Sequence, residues 1–154
     1  MNISDFPIGG KKIFVIAEIG NNHNGSFEQA IKMIDAANEA GVDCVKFQMR
    51  DMPSVYRKKS LEKYGEDLGT EYVLDLLKKF ELNYDEHKKI SEYCQKIDIL
   101  YMCTPWDQNS VDVLEEFNVP AYKISSADLT NLPLISKVAD TGKPIILSTG
   151  MSTV

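Results

Sequence analysis

Residues 12–48, KIFVIAEIGNNHNGSFEQAIKMIDAANEAGVDCVKFQ, predict a strand, a helix and a second strand in succession. The run from Lys12 to Glu18 is almost continuously apolar and rich in β-branched residues, which is typical of a strand buried on both faces. A capping-box pattern at Ser26 predicts where the helix begins, and Gly41 predicts where it ends. Because Asp43–Gln48 repeats the strand pattern, the stretch predicts a βαβ unit with parallel strands.

The alternation of strand and helix patterns continues to the end of the chain. Apolar runs predict three more strands, at 99–103, 121–125 and 144–148. Amphipathic stretches predict helices at 70–80, 84–97, 109–117 and 132–141. Five parallel strands of an α/β protein fit either an open doubly wound sheet or part of a (β/α)8 barrel of the TIM type. Since a whole barrel needs about 250 residues, the 154 residues would make an incomplete barrel of about five βα units.

Between Met49 and Gly69 the periodic pattern lapses, and a loop of this length in a compact domain is usually functional or mobile. The basic cluster at 57–59 within it is interpreted as a solvated face rather than a phosphate clamp. No glycine-rich dinucleotide turn follows the first strand, and the chain has no P-loop.

Composition narrows the classes of partner. The net charge of −6 argues against nucleic acid and anionic membranes as partners. No apolar run is long enough for a membrane helix, and no secretory signal is visible at the N-terminus. The three cysteines, Cys44, Cys94 and Cys103, lie in apolar patterns without CxxC spacing, so we expect buried, reduced thiols in a cytoplasmic protein.

Polar side chains follow every predicted strand, at the end where both architectures place their ligands. These residues are Glu18, Lys46, Gln48, Thr104, Lys123, Ser125, Ser126, Asp128, Ser148 and Thr149. Lys46 and Lys123, at equivalent heights on different strands, would suit a small dianion such as a phosphate ester. The alternative is that each lysine forms a structural ion pair with Glu18 or Asp128.

The serines and Trp106 have two interpretations each, and the histidines are interpreted as structural. The serines, taken singly, serve equally well as turn or capping residues, and Trp106 would either stack on a sugar or cover the rim of the sheet. His23 is interpreted as a hydrogen-bonded turn residue and His87 as a core residue. Neither the histidines nor the cysteines have the spacing of a metal site.

Five motifs in order resemble those of the sialic acid synthase family, the N-acetylneuraminate synthases and their spore-coat polysaccharide relatives. The motifs are AEIGNNHNG (17–25), VKFQ (45–48), TPWD (104–107), YKISSAD (122–128) and LSTGM (147–151). The resemblance covers the whole chain, so residues 1–154 are expected to be the N-terminal portion of that family's (β/α)8 barrel.

The resemblance implies a transferase that condenses phosphoenolpyruvate with an N-acetylated amino sugar such as N-acetylmannosamine, giving a sialic-acid-type nonulosonic acid and phosphate. By motif, the residues that would hold phosphoenolpyruvate are Lys46, Thr104, Lys123, Ser126 and Ser148. Those that would line the sugar side are Glu18, Gln48, Trp106 and Asp128, of which Glu18 and Asp128 are the catalytic candidates.

The resemblance also implies parts that these 154 residues lack. Family members use a divalent metal, Mn²⁺ or Mg²⁺, whose histidine ligands lie on later strands. They also carry an antifreeze-like C-terminal domain that reaches across a homodimer. We therefore expect the isolated chain to be inactive. Asp128 stands where many members have Glu, which leaves diacetamido sugars open as substrates. The alternatives are a 3-deoxy-sugar-acid synthase type of condensing barrel and a non-catalytic binding or assembly module.

Overall fold

The structure, a computed structural model, describes residues 1–56, 70–150 and 152–153. The strands are β1 (Asn2–Ile3), β2 (Phe6–Pro7), β3 (Ile16–Gly20), β4 (Cys44–Met49), β5 (Leu100–Pro105), β6 (Tyr122–Ile124) and β7 (Ile145–Leu147). The helices are α1 (Phe27–Glu39), α2 (Met52–Val55), α3 (Thr70–Phe80), α4 (Tyr84–Lys96), α5 (Gln108–Glu116) and α6 (Leu132–Ala139). The basic cluster at 57–59, most of the long loop and Met151 of the last motif lie outside the described residues.

Five of the strands form one parallel sheet in the order β3-β4-β5-β6-β7. This confirms the α/β class and the parallel pairing expected from the sequence. The doubly wound alternative requires a reversal of strand order, and the described sheet has none, so that alternative is wrong for these strands. The sheet is open, with β3 and β7 at its edges.

The two faces of the sheet have different environments because side chains alternate along each strand. One face packs against the helices, and its cluster includes Val45, Phe47, Tyr101, Cys103 and Tyr122. The opposite face is apolar only toward the amino ends of the strands, where Cys44, Met102 and Ala121 pack together. Beyond that layer, toward the carboxyl ends, the same face carries polar side chains, so the fold concentrates polar groups at one end of one face.

The first strand of the sheet begins later than the sequence pattern predicts. Strand β3 spans Ile16–Gly20 rather than Lys12–Glu18. The prediction of burial on both faces is wrong for the part of the apolar run that precedes β3, since Ile13 is 83% exposed and Val15 is 45% exposed. The physical reason is that, among the described residues, β3 is an edge strand paired only with β4, and an apolar run does not report whether a second neighbouring strand exists.

A short antiparallel hairpin of β1 and β2 was not predicted and closes the apolar end of the polar-bearing face. Its Ile3 is 1% exposed and joins the cluster of Cys44, Met102 and Ala121. The ring of Phe6 packs edge-on against Phe14 with centroids 5.0 Å apart.

The five predicted helices begin and end within two residues of the predicted positions, whereas the short α2 (Met52–Val55) lies in the segment predicted as a loop. Ser26 caps α1 by accepting a hydrogen bond from the Gln29 backbone N–H, at 3.2 Å. Asn83 and Glu86 form the reciprocal capping box expected at the start of α4. None of the helices in the described part of the chain is long and apolar enough to cross a membrane.

The three cysteines are buried and free, which confirms the expectation of reduced interior thiols. Burial raises the pKa of Cys94 and Cys103 to about 12. These thiols are therefore protonated at neutral pH and act as small apolar residues rather than as nucleophiles or metal ligands.

Gly25 occupies a position that no other residue fits, at the end of the turn that follows β3. Its φ is +77°, and a Cβ there would overlap the backbone carbonyl oxygen of Lys79. Gly25→Ala is expected to lower the free energy of unfolding by at least about 2 kcal/mol, through backbone strain plus that overlap. Urea unfolding measures this loss.

The matched control for this prediction is Gly41→Ala. Gly41 has a φ of +75° but nothing within 4 Å of the added Cβ, so the change should cost only the strain, about 1 kcal/mol. Equal losses in the two variants would show that the contact with Lys79 is not tight.

Candidate functional site

The carboxyl ends of β3, β4 and β5 bring Glu18, Lys46 and Thr104 together. Glu18 and Lys46 are register partners on adjacent strands, and their side chains form an ion pair. The Lys46 Nζ also donates to the Thr104 Oγ1 at 3.3 Å, and Lys46 is only 7% exposed. The ion pair that the sequence offered as the structural interpretation of Lys46 is therefore present.

Lys123 lies in a different environment two strands away. Its Nζ donates to the Ser148 Oγ at 2.5 Å and to the Ile124 carbonyl oxygen at 2.8 Å. It forms no ion pair with Asp128 or with any other carboxylate of the described residues, so that interpretation is wrong for Lys123. Burial lowers the pKa of Lys123, the positive charge of Lys46 lowers it further, and Glu18 opposes them.

Two lysine–hydroxyl pairs therefore share one end of the sheet, Lys46 with Thr104 and Lys123 with Ser148. The fifth residue of the predicted phosphoenolpyruvate set, Ser126, is exposed at the start of a short 3-10 helix, Ser126–Asp128, that follows β6. Ser125 accepts a hydrogen bond from the Ala127 backbone N–H at 3.3 Å, which is the capping role offered for it.

Trp106 and Asp128, two predicted sugar-side residues, line one cavity of about 440 Å³ beside α5 and α6. Each has a buried polar atom with no partner among the described residues, the Nε1 of Trp106 and the Oδ2 of Asp128. The other Asp128 oxygen accepts from the Asn131 Nδ2 at 3.1 Å, and Asp128 is 9% exposed. A cavity of this size with polar lining residues suits a polar ligand such as a polyol.

The remaining sugar-side residue, Gln48, is held by an arginine that the sequence analysis missed. The Arg50 Nη2 donates to the Gln48 Oε1 at 2.6 Å, and the guanidinium carbon lies 4.7 Å from the centre of the Trp106 ring. Arg50 thereby contacts two predicted sugar-side residues. A signal was available, since residues two apart in an extended segment point to the same side.

Asp107 is a second residue that the sequence analysis missed. Its carboxylate accepts from the Ser110 backbone N–H and the Ser110 Oγ, both at 2.8 Å, and from the Asp51 backbone N–H at 2.7 Å. The first contact caps α5. An aspartate just before a helical pattern predicts such a cap. The contact with Asp51 fastens the segment after β4 to the end of β5.

His23 is a hydrogen-bonded turn residue and His87 is a core residue, as expected. His23 is 2% exposed, and its Nδ1 accepts from the Gly25 backbone N–H at 3.1 Å. His87 is 1% exposed, with its Nδ1 2.8 Å from the Tyr101 hydroxyl. Within residues 1–56, 70–150 and 152–153, no three His, Cys, Asp or Glu side chains are grouped as metal ligands. These residues therefore do not by themselves fit a metal ion, and we derive no step through one.

Comparison with known proteins gives consistent matches along the chain. A model of the NeuB family matches residues 33–154. An uncharacterized protein of Methanocaldococcus jannaschii is 43% identical over 155 residues, which cover 100% of this chain and 43% of that protein. The N,N'-diacetyllegionaminic acid synthase of Campylobacter jejuni is 39% identical over 145 residues, which cover 92% of this chain and 43% of that protein.

Among solved structures, the N-acetylneuraminic acid (sialic acid) synthetase of Leptospira borgpetersenii, crystallised in complex with citrate, matches with a TM-score of 0.80 and 34% identity. The match covers 94% of this chain and 47% of that one. The chain thus spans less than half the length of the relatives it matches.

Proposed function

Because this chain belongs to the NeuB family, we propose that it supplies the first βα units of a TIM-type barrel that makes a nonulosonic acid from phosphoenolpyruvate and an N-acetylated amino sugar. The sequential order of β3 to β7 supports the barrel, since barrel strands follow one another around the ring. The names of the Campylobacter and Leptospira relatives support the product class.

The observation that carries the proposal is the pair of lysines at one end of the sheet. Phosphoenolpyruvate has a phosphate and a carboxylate, and each would take one lysine–hydroxyl pair. The charge of Lys46 already lowers the pKa of Lys123, so the two ammonium groups repel each other in the free protein. A dianion between them would relieve that repulsion, which favours binding of an anion over a neutral ligand.

The sugar would lie on the side of Gln48, Trp106 and Asp128. The cavity of about 440 Å³ lined by Trp106 and Asp128 gives it room, and each of these residues keeps one polar atom without a partner among the described residues. Glu18, 52% exposed at its side chain, lies on the edge strand β3 and is paired with Lys46. Glu18 and Asp128 are the carboxylates that we assign to hydrogen-bonding sugar hydroxyls and moving protons.

In the proposed reaction, C3 of phosphoenolpyruvate forms a bond to the aldehyde carbon of the open-chain sugar. The former aldehyde oxygen takes up a proton from a nearby carboxylic acid and becomes a hydroxyl. Water captures the cationic centre left at C2 and returns a proton to that carboxylate. The C2–O bond to the phosphate then breaks, and the C2 hydroxyl gives its proton to the departing phosphate as the ketone forms. The lysines stabilise the anionic phosphate throughout.

Calorimetric titration of the 154-residue chain with phosphoenolpyruvate, with and without Mn²⁺, tests the proposal. We expect saturable binding that needs no metal and weakens as salt is raised, because the contacts are ionic. Absence of binding to a chain shown to be folded would contradict the lysine site. N-acetylmannosamine and a phosphorylated aldose, each added after phosphoenolpyruvate, form the second arm. A preference for the phosphorylated aldose would point instead to a 3-deoxy-sugar-acid synthase.

A further inference from the structure

Arg50 contacts both Gln48 and Trp106, and it does not belong to the residues implied by the family motifs. Its main chain is held on both sides. The Trp106 backbone N–H donates to the Met49 carbonyl at 3.0 Å, and the Asp51 N–H donates to the Asp107 carboxylate at 2.7 Å. The segment 49–51 is therefore fastened to the end of β5, which holds the backbone of Arg50 beside Trp106, and the guanidinium lies over the Trp106 ring.

The contact with Gln48 determines which way its amide faces. A guanidinium has donors and no acceptor, so the Gln48 atom that meets the Arg50 Nη2 at 2.6 Å must be the oxygen. The Gln48 Nε2 then points the other way. A Cβ placed on Gly20 would lie 3.3 Å from that nitrogen and 3.2 Å from the Glu18 Oε1, so the amide donors face the same small space as the Glu18 carboxylate.

The surroundings of Arg50 keep the guanidinium charged and in place. Burial lowers the pKa of Arg50, but Tyr56 and Glu81 raise it, and a guanidinium in a protein stays protonated. The pKa of Glu81 is raised by burial and lowered by the charge and backbone N–H of Arg50. Arg50 is thus bounded by a carboxylate, an aromatic ring and an amide oxygen.

We propose that Arg50 is a positioning residue, which turns the Gln48 amide so that its Nε2 hydrogens face the ligand and which fixes the Trp106 ring at the edge of the sugar cavity. The identity of the ligand rests on the proposed function, whereas the orientation of Gln48 and Trp106 does not. It assigns Gln48 as a hydrogen-bond donor that recognises an acceptor oxygen of the sugar. A site built to donate rejects analogues that lack the acceptor, because the buried donor is then left unpaired.

The test uses the fact that Trp106 is the only tryptophan in the chain. In Arg50→Met we expect the ring to be released, with acrylamide quenching of its fluorescence rising about two- to fivefold, because the planar guanidinium no longer stacks on the ring face. In the ¹H–¹⁵N spectrum, the Gln48 side-chain amide pair should move toward the position of an exposed amide. Arg50→Lys should behave like Arg50→Met in both signals, since an ammonium keeps the charge but lacks the planar donor fork.

The matched control is Lys143→Met, which removes a cation paired with Glu115 before β7, at the opposite end of that strand. It should change neither signal. Unchanged quenching and an unmoved Gln48 amide in Arg50→Met, or full recovery of both signals in Arg50→Lys, would overturn the proposal. If Arg50→Met does not fold, the double variant Arg50→Met/Glu81→Gln removes both buried charges and carries the same readouts.

A ligand titration then separates this inference from the proposed function. With phosphoenolpyruvate present, N-acetylmannosamine should bind Arg50→Met about tenfold more weakly than the unaltered chain, while phosphoenolpyruvate affinity stays the same. If the unaltered chain binds neither ligand, the proposed function fails. The fluorescence and amide signals still test whether Arg50 positions Trp106 and Gln48. If both chains bind the sugar equally, the role of Arg50 in recognition is overturned.

Discussion

Lys123→Met is expected to weaken phosphoenolpyruvate binding by at least about 30-fold, equivalent to about 2 kcal/mol, while the chain keeps its fold. The loss follows because Lys123 brings a half-buried ammonium and its Ser148 hydroxyl partner to the anion. The fold should survive because no described carboxylate forms an ion pair with Lys123, so its removal leaves no buried charge unpaired. Methionine also fills the same volume with an adaptable apolar chain.

Calorimetry gives the affinity, and urea unfolding gives the stability of the same preparation. The control is Lys143→Met, whose exposed ion pair with Glu115 lies before β7 and outside the proposed site. That change should leave phosphoenolpyruvate affinity as it was. A Lys123→Met chain that unfolds would favour a purely structural lysine, and a chain that binds as tightly as the original would remove Lys123 from the site.

Acid is expected to destabilise the protein through His87. Burial, together with a smaller effect of the neighbouring His23, lowers the pKa of His87 to about 3. Because the unfolded chain binds a proton near pH 6.5 and the folded chain does not, the stability that is present above pH 6.5 is lost as the pH falls toward 3. The loss from this one group is about 2 kcal/mol at pH 5 and about 4 kcal/mol at pH 3.

Urea unfolding of the original chain and of His87→Gln, at pH 7 and pH 5, measures this contribution. Glutamine does not titrate and can still meet the Tyr101 hydroxyl, which lies 2.8 Å from the His87 Nδ1. Carboxylates titrate in both chains, so the difference in slope isolates the histidine. Identical pH slopes for the two chains would show that His87 takes up a proton within the folded protein.

Much of this protein could be predicted from local pattern because the patterns are strong. The helix from Thr70 to Phe80 was predicted at its observed bounds, and four strands lie within two residues of theirs. Family membership is confirmed by the match to the NeuB model, and it rested on five motifs in order rather than on any single one. The shortfall at Lys12–Val15 came from an edge strand, whose missing neighbour no local pattern reports.

The sequence by itself determined that polar side chains would gather at one end of the sheet, since the carboxyl ends of parallel strands meet at one edge whatever the details of packing. Only the tertiary structure decided how those side chains pair. Lys46 forms an ion pair with Glu18 because the two residues are register partners on adjacent strands. Lys123, two strands farther on, finds only hydroxyl and carbonyl oxygens. The position of Arg50 depends on hydrogen bonds between its neighbours in the chain and residues more than fifty positions away. Pairings of that kind depend on register and rotamer across the sheet, which residue spacing along the chain does not contain.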